Sequence, residues 1–247
     1  MIDPGKLNNL LNAPGIEALW DMHCRQMAEF GFDRLLYGFT RYRTPTTLGD
    51  PEDFVLLTNH SPDYTEGFIN GRLYTDAPMV RWALENDGAQ SWSHIRTLKL
   101  SPEEERVLAF NKAHGVTAGY SISFKSVSPR AKGAIALTAR AGMSQDEIDR
   151  QWADKGEIIT ALNTVVHLRI LSLPYNAPGR ALTKRQREVL EWVGDGKTVQ
   201  DTAILMELTP ATVEKHLRLA REALSVETTA QAVLKAAFQN QMFVIEP

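Results

Sequence analysis

The chain has 247 residues, enough for one large domain or for two of ordinary size. Its hydrophobic fraction of 43% and charged fraction of 23% are ordinary for a folded globular protein, so a core can form without disulfides or metals. The net charge of −3 at pH 7 argues against a protein that coats nucleic acid non-specifically, and any nucleic-acid contact must come from a local patch.

The single cysteine and the lack of long apolar runs predict where the protein works. Cys24 has no second cysteine for an intramolecular disulfide, so we expect a reducing compartment and a packed rather than a reactive thiol. No run approaches the roughly 18 apolar residues of a membrane span. Residues 1–12 lack the basic and apolar regions of a signal peptide. We therefore expect a cytoplasmic protein with no membrane partner.

Helical and strand-like patterns alternate along the first two thirds of the chain. Turn residues and helix-start signals separate them, and Ser101 with Glu104 forms a typical capping box before a helix that Gly115 closes. In chain order the predicted elements are a helix over 7–30 restarted at Pro14, strands over 35–42 and 54–58, short helices over 62–70 and 78–85, a helix from Ser101 to His114, strands over 119–125 and 133–140, and a long helix over 144–171. This order predicts an α+β arrangement with an antiparallel sheet.

A short polar segment with Pro174 and Gly179 then interrupts the pattern, as a connector between domains does. The predicted domains are residues 1–172 and 182–247, with residues 173–181 as the linker. No internal repeat or low-complexity tract occurs.

The last third of the chain is predicted to form four helices. Thr183, Thr198 and Thr209 are N-cap candidates, and Gln186 completes a capping box with Thr183. The predicted helices span 184–194, 199–206, 211–224 and 229–241. The close pair formed by the second and third is typical of a helix-turn-helix, in which the second helix of the motif enters the major groove of DNA.

Charge does not decide between a DNA-binding and a protein-binding bundle. Residues 182–247 contain eight Lys and Arg against nine Asp and Glu, so on charge alone the two are equally good interpretations. The sequence pattern favours DNA.

Residues 182–224 strongly resemble the LuxR-type helix-turn-helix, because they read LTKRQREVLEWVGDGKTVQDTAILMELTPATVEKHLRLAREAL. The most specific pieces are Gly-Lys-Thr at 196–198 and Thr-Val-Glu-Lys-His-Leu at 212–217. Two positions depart from the family pattern: Gln186 stands where Glu is usual, and Thr202 where a branched aliphatic is usual. The resemblance implies DNA contacts from Lys184, Lys197, Thr198, Thr212, Glu214, Lys215, Arg218 and Arg221.

The N-terminal order of elements resembles the autoinducer-binding domain of acyl-homoserine-lactone sensors, an α/β/α sandwich. The local similarity lies in TNHSPDYTEGFINGRLYTDAPMVRWA at 58–83, SWSHI at 91–95 and HGVTAGYSISF at 114–124. In ungapped register the family's signature positions fall on Tyr64, Phe68, Ala77-Pro78, Trp92, Gly115 and Gly119, with Ser121 on the strand beyond.

The resemblance also implies how a ligand is held. In the family a Trp donates to the lactone carbonyl, an Asp accepts from the amide N–H and a Tyr donates to the acyl carbonyl. Here Tyr64 replaces the Trp, Phe68 replaces the Tyr, and Asp76 precedes the Ala that replaces the Asp. His60 and Ser121 are candidate replacement partners. Each position has a structural alternative: Phe68 and Trp92 as core aromatics, Asp76 as a helix cap and His60 as a core histidine.

We therefore expect a DNA-binding homodimer on a pseudo-palindromic operator, with the long helix in the dimer contact and an N-acyl-homoserine lactone as effector. We expect no other cofactor, no metal and no catalytic residues. One alternative is a regulator that is independent of ligand or senses a molecule other than a lactone. Another is an enzyme acting on a small acyl compound, although the sequence lacks a nucleophile elbow, a metal-ligand cluster and a phosphate loop.

Overall fold

The structure is a computed structural model that describes residues 3–175 and 181–243. Backbone contacts divide it into two compact units, with the boundary between Leu171 and Ser172. The central part of the predicted linker, residues 176–180, lies outside the described residues.

The N-terminal unit combines one sheet with helices. Its helices are α1 (Pro4–Leu11), α2 (Ile16–Glu29), α3 (Pro62–Thr65), α4 (Pro78–Glu85), α5 (Pro102–Ala113) and α6 (Gln145–Ser172). Its strands are β1 (Phe32–Thr40), β2 (Val55–Thr58), β3 (Gly88–Ser91), β4 (Gly119–Phe124) and β5 (Lys132–Ala139). A π-helical turn, Glu66–Asn70, extends α3, and 3₁₀ turns occur at Pro51–Asp53, Leu73–Asp76 and Trp92–Thr97.

The five strands form one antiparallel sheet in the order β2-β1-β5-β4-β3. This confirms the predicted α+β class with an antiparallel sheet. Edge strand β3 was not predicted, because its sequence Gly-Ala-Gln-Ser has none of the β-branched or aromatic residues that favour strands. The predicted capping box is confirmed: Ser101 Oγ accepts from the Glu104 N–H at 3.2 Å, and Glu104 Oε2 accepts from the Ser101 N–H at 2.9 Å.

One face of the sheet packs against α2 and α6, and two histidines lie in this core. Tyr37 on β1 is hydrogen-bonded through its hydroxyl to Nδ1 of His167 on α6 at 2.8 Å. His23 on α2 is bonded through Nε2 to Oδ1 of Asn163 at 2.9 Å. Burial lowers the pKa of His23 and of His167 to about 4, so both rings are neutral in the folded protein at pH 7.

The C-terminal unit is a four-helix bundle, as predicted. Its helices are α7 (Lys184–Gly194), α8 (Val199–Leu205), α9 (Pro210–Ala223) and α10 (Thr229–Phe238). A threonine caps the N-terminus of each helix, namely Thr183, Thr198, Thr209 and Thr228. The turn from α8 to α9 passes through Glu207 in the left-handed region, with φ +55°. Buried Val189, Leu190, Val213 and Leu217 form the centre of the core.

Thr202 carries a polar group into this core. It is fully buried, and its Oγ1 has no hydrogen-bond partner among the described residues. Burial removes the hydrogen bonds of a hydroxyl to water, and without a protein partner nothing compensates for this loss.

We therefore expect Thr202→Val, which keeps the shape of the side chain, to raise the free energy of unfolding by about 1 kcal/mol in urea titrations. Thr198→Val is the contrasting variant: it removes an N-cap and should lower stability by about 1 kcal/mol. A Thr202→Val protein less stable than the parent would contradict this explanation.

The two buried histidines predict a pH dependence of stability. In the unfolded chain each ring takes up a proton near pH 6.5, whereas in the folded protein it does so only near pH 4. The unfolded state therefore binds more protons between these values, and the free energy of unfolding should increase as pH rises from about 5 to 6.5. Urea titrations across this range should show the increase, and His167→Phe should make its slope shallower. A stability that is level or decreases with pH would contradict the burial of neutral rings.

Candidate functional site

The face of the sheet away from α2 and α6 borders a cavity of about 400 Å³. Side chains alternate between the two faces of a strand, so the even-numbered residues of β1 and β5 point toward this cavity. Several are small: Gly38 on β1 pairs with Ala134 on β5, and Ala136 lies two residues further along. A Cβ built on Gly38 would meet no atom within 4 Å. The small residues therefore keep the floor of the cavity open.

Polar side chains gather at one end of the cavity. Trp92 donates through its indole Nε1 to Ser121 Oγ on β4 at 3.0 Å. Thr138 on β5 faces the same end, with its Oγ1 3.5 Å from Nε2 of His60. Most of the remaining lining is apolar, including Leu36, Phe54, Leu56, Ile69 and Val80. The cavity thus suits a molecule with one polar head and an apolar body.

An aromatic stack forms one wall. His60, Tyr64 and Phe68 are spaced four residues apart, and successive ring centroids are 4.4 and 5.3 Å apart. The Tyr64 hydroxyl donates to Oδ1 of Asn111 on α5 at 3.1 Å, so this donor already has a protein partner. Burial and, to a lesser extent, the positive charge of Arg34 lower the pKa of His60 to about 4. At neutral pH the His60 ring therefore offers one N–H donor and one bare nitrogen acceptor.

Hydrogen bonds from α6 hold the turn that carries Trp92. Ser91 Oγ donates to Asp149 Oδ1 at 2.7 Å, and the Gln145 amide donates to Asp149 Oδ1 at 2.8 Å. Gln145 also brackets the backbone of Gly119, accepting from its N–H and donating to its carbonyl. A Cβ on Gly119 would lie 2.2 Å from the Leu137 carbonyl and 3.0 Å from the Trp92 ring. Position 119 must therefore be glycine for β4 to approach β5 this closely, and a side chain there would also press on the indole.

The structure brings five of the six predicted ligand residues to the cavity lining: His60, Tyr64, Phe68, Trp92 and Ser121. Asp76 is the exception. It is exposed and outside the lining, while the next residue, Ala77, is buried and faces the cavity. The chain leaves a 3₁₀ turn at Asp76 and begins α4 after Ala77, so the two side chains diverge. Asp76 was a candidate ligand residue, but its side chain does not line the cavity, and no carboxylate of the described residues does.

Asn111 and Thr138 line the cavity but were not predicted. Thr138 could have been found from alternation along β5, because it shares a face with Ala134 and Ala136. Asn111 had no sequence signal, since its role depends on the approach of α5 to Tyr64.

The exposed side of α9 carries the predicted DNA contacts. Val213 and Leu217 are buried, whereas Glu214, Lys215 and Arg218 are exposed. These three exposed residues lie within about one turn of each other on the helix surface. Arg218 forms an i,i+4 ion pair with Glu222.

The other predicted contacts have more varied surroundings. Arg221 is half-buried and donates through Nη1 to Thr229 Oγ1 at 2.9 Å, which ties α9 to α10. Thr198 caps α8 and donates to Asp201, and the Thr212 hydroxyl is 2.8 Å from the Thr209 hydroxyl. Lys184 and Lys197 are exposed, at the first position of α7 and just before α8.

Within residues 3–175 and 181–243, no three or more His, Cys, Asp and Glu side chains are grouped as metal ligands would be. None of the helices in that part of the chain combines the length and the apolar character needed to cross a membrane.

In comparison with known proteins, a different family model matches each of the two units of the structure. The family model described as autoinducer binding domain matches residues 15–170, and the one described as bacterial regulatory proteins, luxR family, matches residues 180–236. The transcriptional activator AnoR of Acinetobacter nosocomialis is 21% identical over 210 residues, covering 85% of either chain. The activator LuxR of Aliivibrio fischeri is 22% identical, covering 74% of this chain and 73% of its own.

Two solved structures share the fold over 97% of either chain. The crystal structure of Escherichia coli SdiA has a TM-score of 0.54 at 15% identity. SdiA in complex with octanoyl-rac-glycerol has a TM-score of 0.51 at 17% identity.

The surface of α9 predicts unequal roles for its charged residues in DNA binding. A guanidinium at Arg218 can donate to guanine or phosphate, whereas a carboxylate at Glu214 can only accept, for example from a cytosine amino group, and it repels phosphate. We expect Arg218→Ala to weaken specific binding by tenfold or more, on the basis of about 1–3 kcal/mol per base contact, and Glu214→Ala to weaken it less.

The measurement is a titration at fixed salt on a duplex selected from a random pool by the parent protein. Glu222→Ala is the matched control, because it breaks the ion pair with Arg218 but leaves the guanidinium in place. Equal losses from Arg218→Ala and Glu214→Ala, or a larger loss from the latter, would contradict the assignment.

Proposed function

The chain belongs to the LuxR family of autoinducer-binding transcriptional regulators, and from this premise we propose that its effector is an N-acyl-homoserine lactone. The observation that carries the proposal is the cavity itself, whose lining combines a polar group, His60, Trp92, Ser121 and Thr138, with a larger and mostly apolar part. A lactone with an acyl tail has a similar division between a polar head and an apolar chain. The helix-turn-helix unit makes DNA the partner of the C-terminal domain.

The polar end can satisfy the carbonyl groups of such a ligand. Ser121 Oγ accepts from Trp92 and keeps its own hydrogen for donation. Asn111 accepts from Tyr64 through Oδ1, which leaves its amide N–H groups as donors toward the cavity that it lines. Buried carbonyl oxygens need such donors, because an unpaired buried acceptor costs about 1–3 kcal/mol.

The amide N–H of the ligand needs an acceptor, and we propose that it is His60. Ala77 occupies the position where the family has its acidic acceptor, and Asp76 is exposed. The lowered pKa of His60 keeps its ring neutral, with a bare nitrogen at the polar end of the cavity. This acceptor is uncharged, so it would bind an amide less strongly than a carboxylate does.

The missing carboxylate favours a second candidate, an acyl ester, which has no N–H to satisfy. A protein of the same fold, SdiA, has been solved in complex with octanoyl-rac-glycerol. In this candidate the donors Ser121 and Asn111 serve the ester oxygens and the His60 acceptor is not required.

We also propose that the protein acts as a homodimer on a pseudo-palindromic operator, with α6 in the dimer contact. A helix-turn-helix dimer places its two recognition helices about 34 Å apart, one turn of DNA. On α6, Leu168 is 60% exposed about one turn before the helix ends at Ser172, so its side chain is available for contact with a second copy.

His60→Phe separates the two ligand candidates. Phenylalanine keeps a ring stacked on Tyr64 but removes the nitrogen acceptor. We expect the variant to bind N-octanoyl-homoserine lactone about tenfold more weakly than the parent, because the amide N–H loses its partner. Its affinity for octanoylglycerol should be unchanged. Isothermal titration provides both affinities. Mass spectrometry of ligand extracted from protein expressed with a mixture of lactones identifies which lactone the protein retains.

Asp76→Asn is the matched control, since an exposed carboxylate outside the lining should not affect either affinity. A large loss of lactone affinity in Asp76→Asn, with His60→Phe unaffected, would show that the amide acceptor is Asp76. Binding of the ester but not of the lactone by the parent protein would replace the first candidate with the second.

A further inference from the structure

The far end of the cavity contains a feature that an acyl tail does not require. Along β5, the residues that line the cavity are Thr138, Ala136, Ala134 and finally Lys132. Thr138 lies at the polar end with His60. Lys132 is six residues away, a distance of about 20 Å along an extended strand. A lysine therefore marks the end of the cavity opposite the proposed head group.

Lys132 is deeply buried for a charged residue, with only 9% of its side chain exposed. Its Nζ donates to Asp87 Oδ1 at 2.7 Å and to the Asn86 carbonyl at 2.9 Å. An ammonium group has three hydrogens, and these two bonds account for two of them within the described residues. The third has no acceptor there. A ligand with an oxygen at this point can accept that hydrogen, whereas a terminal methyl group cannot.

The space between the two ends is open. Gly38 and Ala134 are paired across β1 and β5, and a Cβ at Gly38 would contact nothing within 4 Å. Leu36 pairs with Ala136 in the same way, nearer the polar end. Glycine in the middle of a strand weakens the strand and often marks the close approach of another group. An extended tail can thus pass over the small residues to reach Lys132.

The ion pair of Lys132 with Asp87 determines which chemical group at the end of a ligand tail is favourable there. Asp87 already neutralises Lys132, and a second carboxylate would be repelled by it. We propose, building on the proposed function, that the ligand has a long tail with a neutral oxygen at its far end, as a hydroxyl, ether or carbonyl, and that Lys132 donates to this oxygen. Lys132 is then a residue that determines specificity for the tail.

The test compares lactones that differ only at the tail end. The probes are N-dodecanoyl-homoserine lactone, its ω-hydroxy form and its ω-carboxy form, titrated into the full chain. We expect the hydroxy form to bind about tenfold more tightly than the methyl form, as a hydrogen bond to a charged donor implies. The carboxy form should bind more weakly than the hydroxy form.

Two variants show whether Lys132 causes the preference. In Lys132→Met the hydroxy and methyl forms should bind equally. N-hexanoyl-homoserine lactone, whose tail is too short to reach position 132, should bind this variant as it binds the parent, which verifies that the site is folded. Lys112→Met, at an exposed residue that also lines the cavity, should keep the preference.

Equal affinity of the parent for the hydroxy and methyl forms, or a preference that persists in Lys132→Met, would overturn the inference and leave the proposed function standing. Tightest binding of the carboxy form would overturn the choice of a neutral group. If none of the lactones binds, the proposed function fails and this inference fails with it.

Discussion

The pairing register of β1 with β5 is the constraint on which the N-terminal unit depends. The two strands pair over most of their length, with Tyr37 opposite Ile135 and Gly38 opposite Ala134. Leu35 and Tyr37 are almost completely buried on the core face, and Gly38 and Ala134 lie on the cavity face. A slip of one residue would exchange the faces, placing large side chains in the cavity and small ones in the core. The same register therefore maintains both the packed layer and the empty space.

The wall of the cavity is also bonded to the longest helix. Trp92 contacts the cavity, and the serines on either side of it belong to a group of hydrogen bonds with Asp149 and Gln145 in the first turns of α6. Because Gln145 also holds Gly119, the strand beneath the indole and the turn that carries it share one anchor. The backbone that positions the indole is therefore bonded to the first turns of α6.

Local signals in the sequence predicted the elements well, and tertiary contacts explain what they missed. Capping residues such as Ser101 and Thr183 determine helix starts through bonds that span three residues, so sequence spacing alone reveals them. Edge strand β3 has no such signal, because it is a strand only through its pairing with β4. The four C-terminal helices were predicted to within a few residues, since their caps and apolar spacing agree.

The candidate site was harder to predict than the fold. Aromatic and serine positions of the cavity followed from resemblance, but the direction of a side chain at a turn did not: Asp76 and Ala77 are adjacent and point to different environments. Likewise, Arg221 has the spacing of a surface residue on α9 but is held by Thr229, a contact that depends on how α10 packs. Lys132 would be expected in solvent on composition alone, and only strand pairing shows that it faces the cavity.

The cavity has a consequence for how much of the protein is folded. A void of about 400 Å³ lined mainly by apolar groups gives up the van der Waals contacts that a filled core would have. A molecule that binds only the folded form returns those contacts and reduces the fraction of chains open to proteases. On the proposed function, the supply of the effector would therefore set how many folded copies of the regulator persist, in addition to what those copies do.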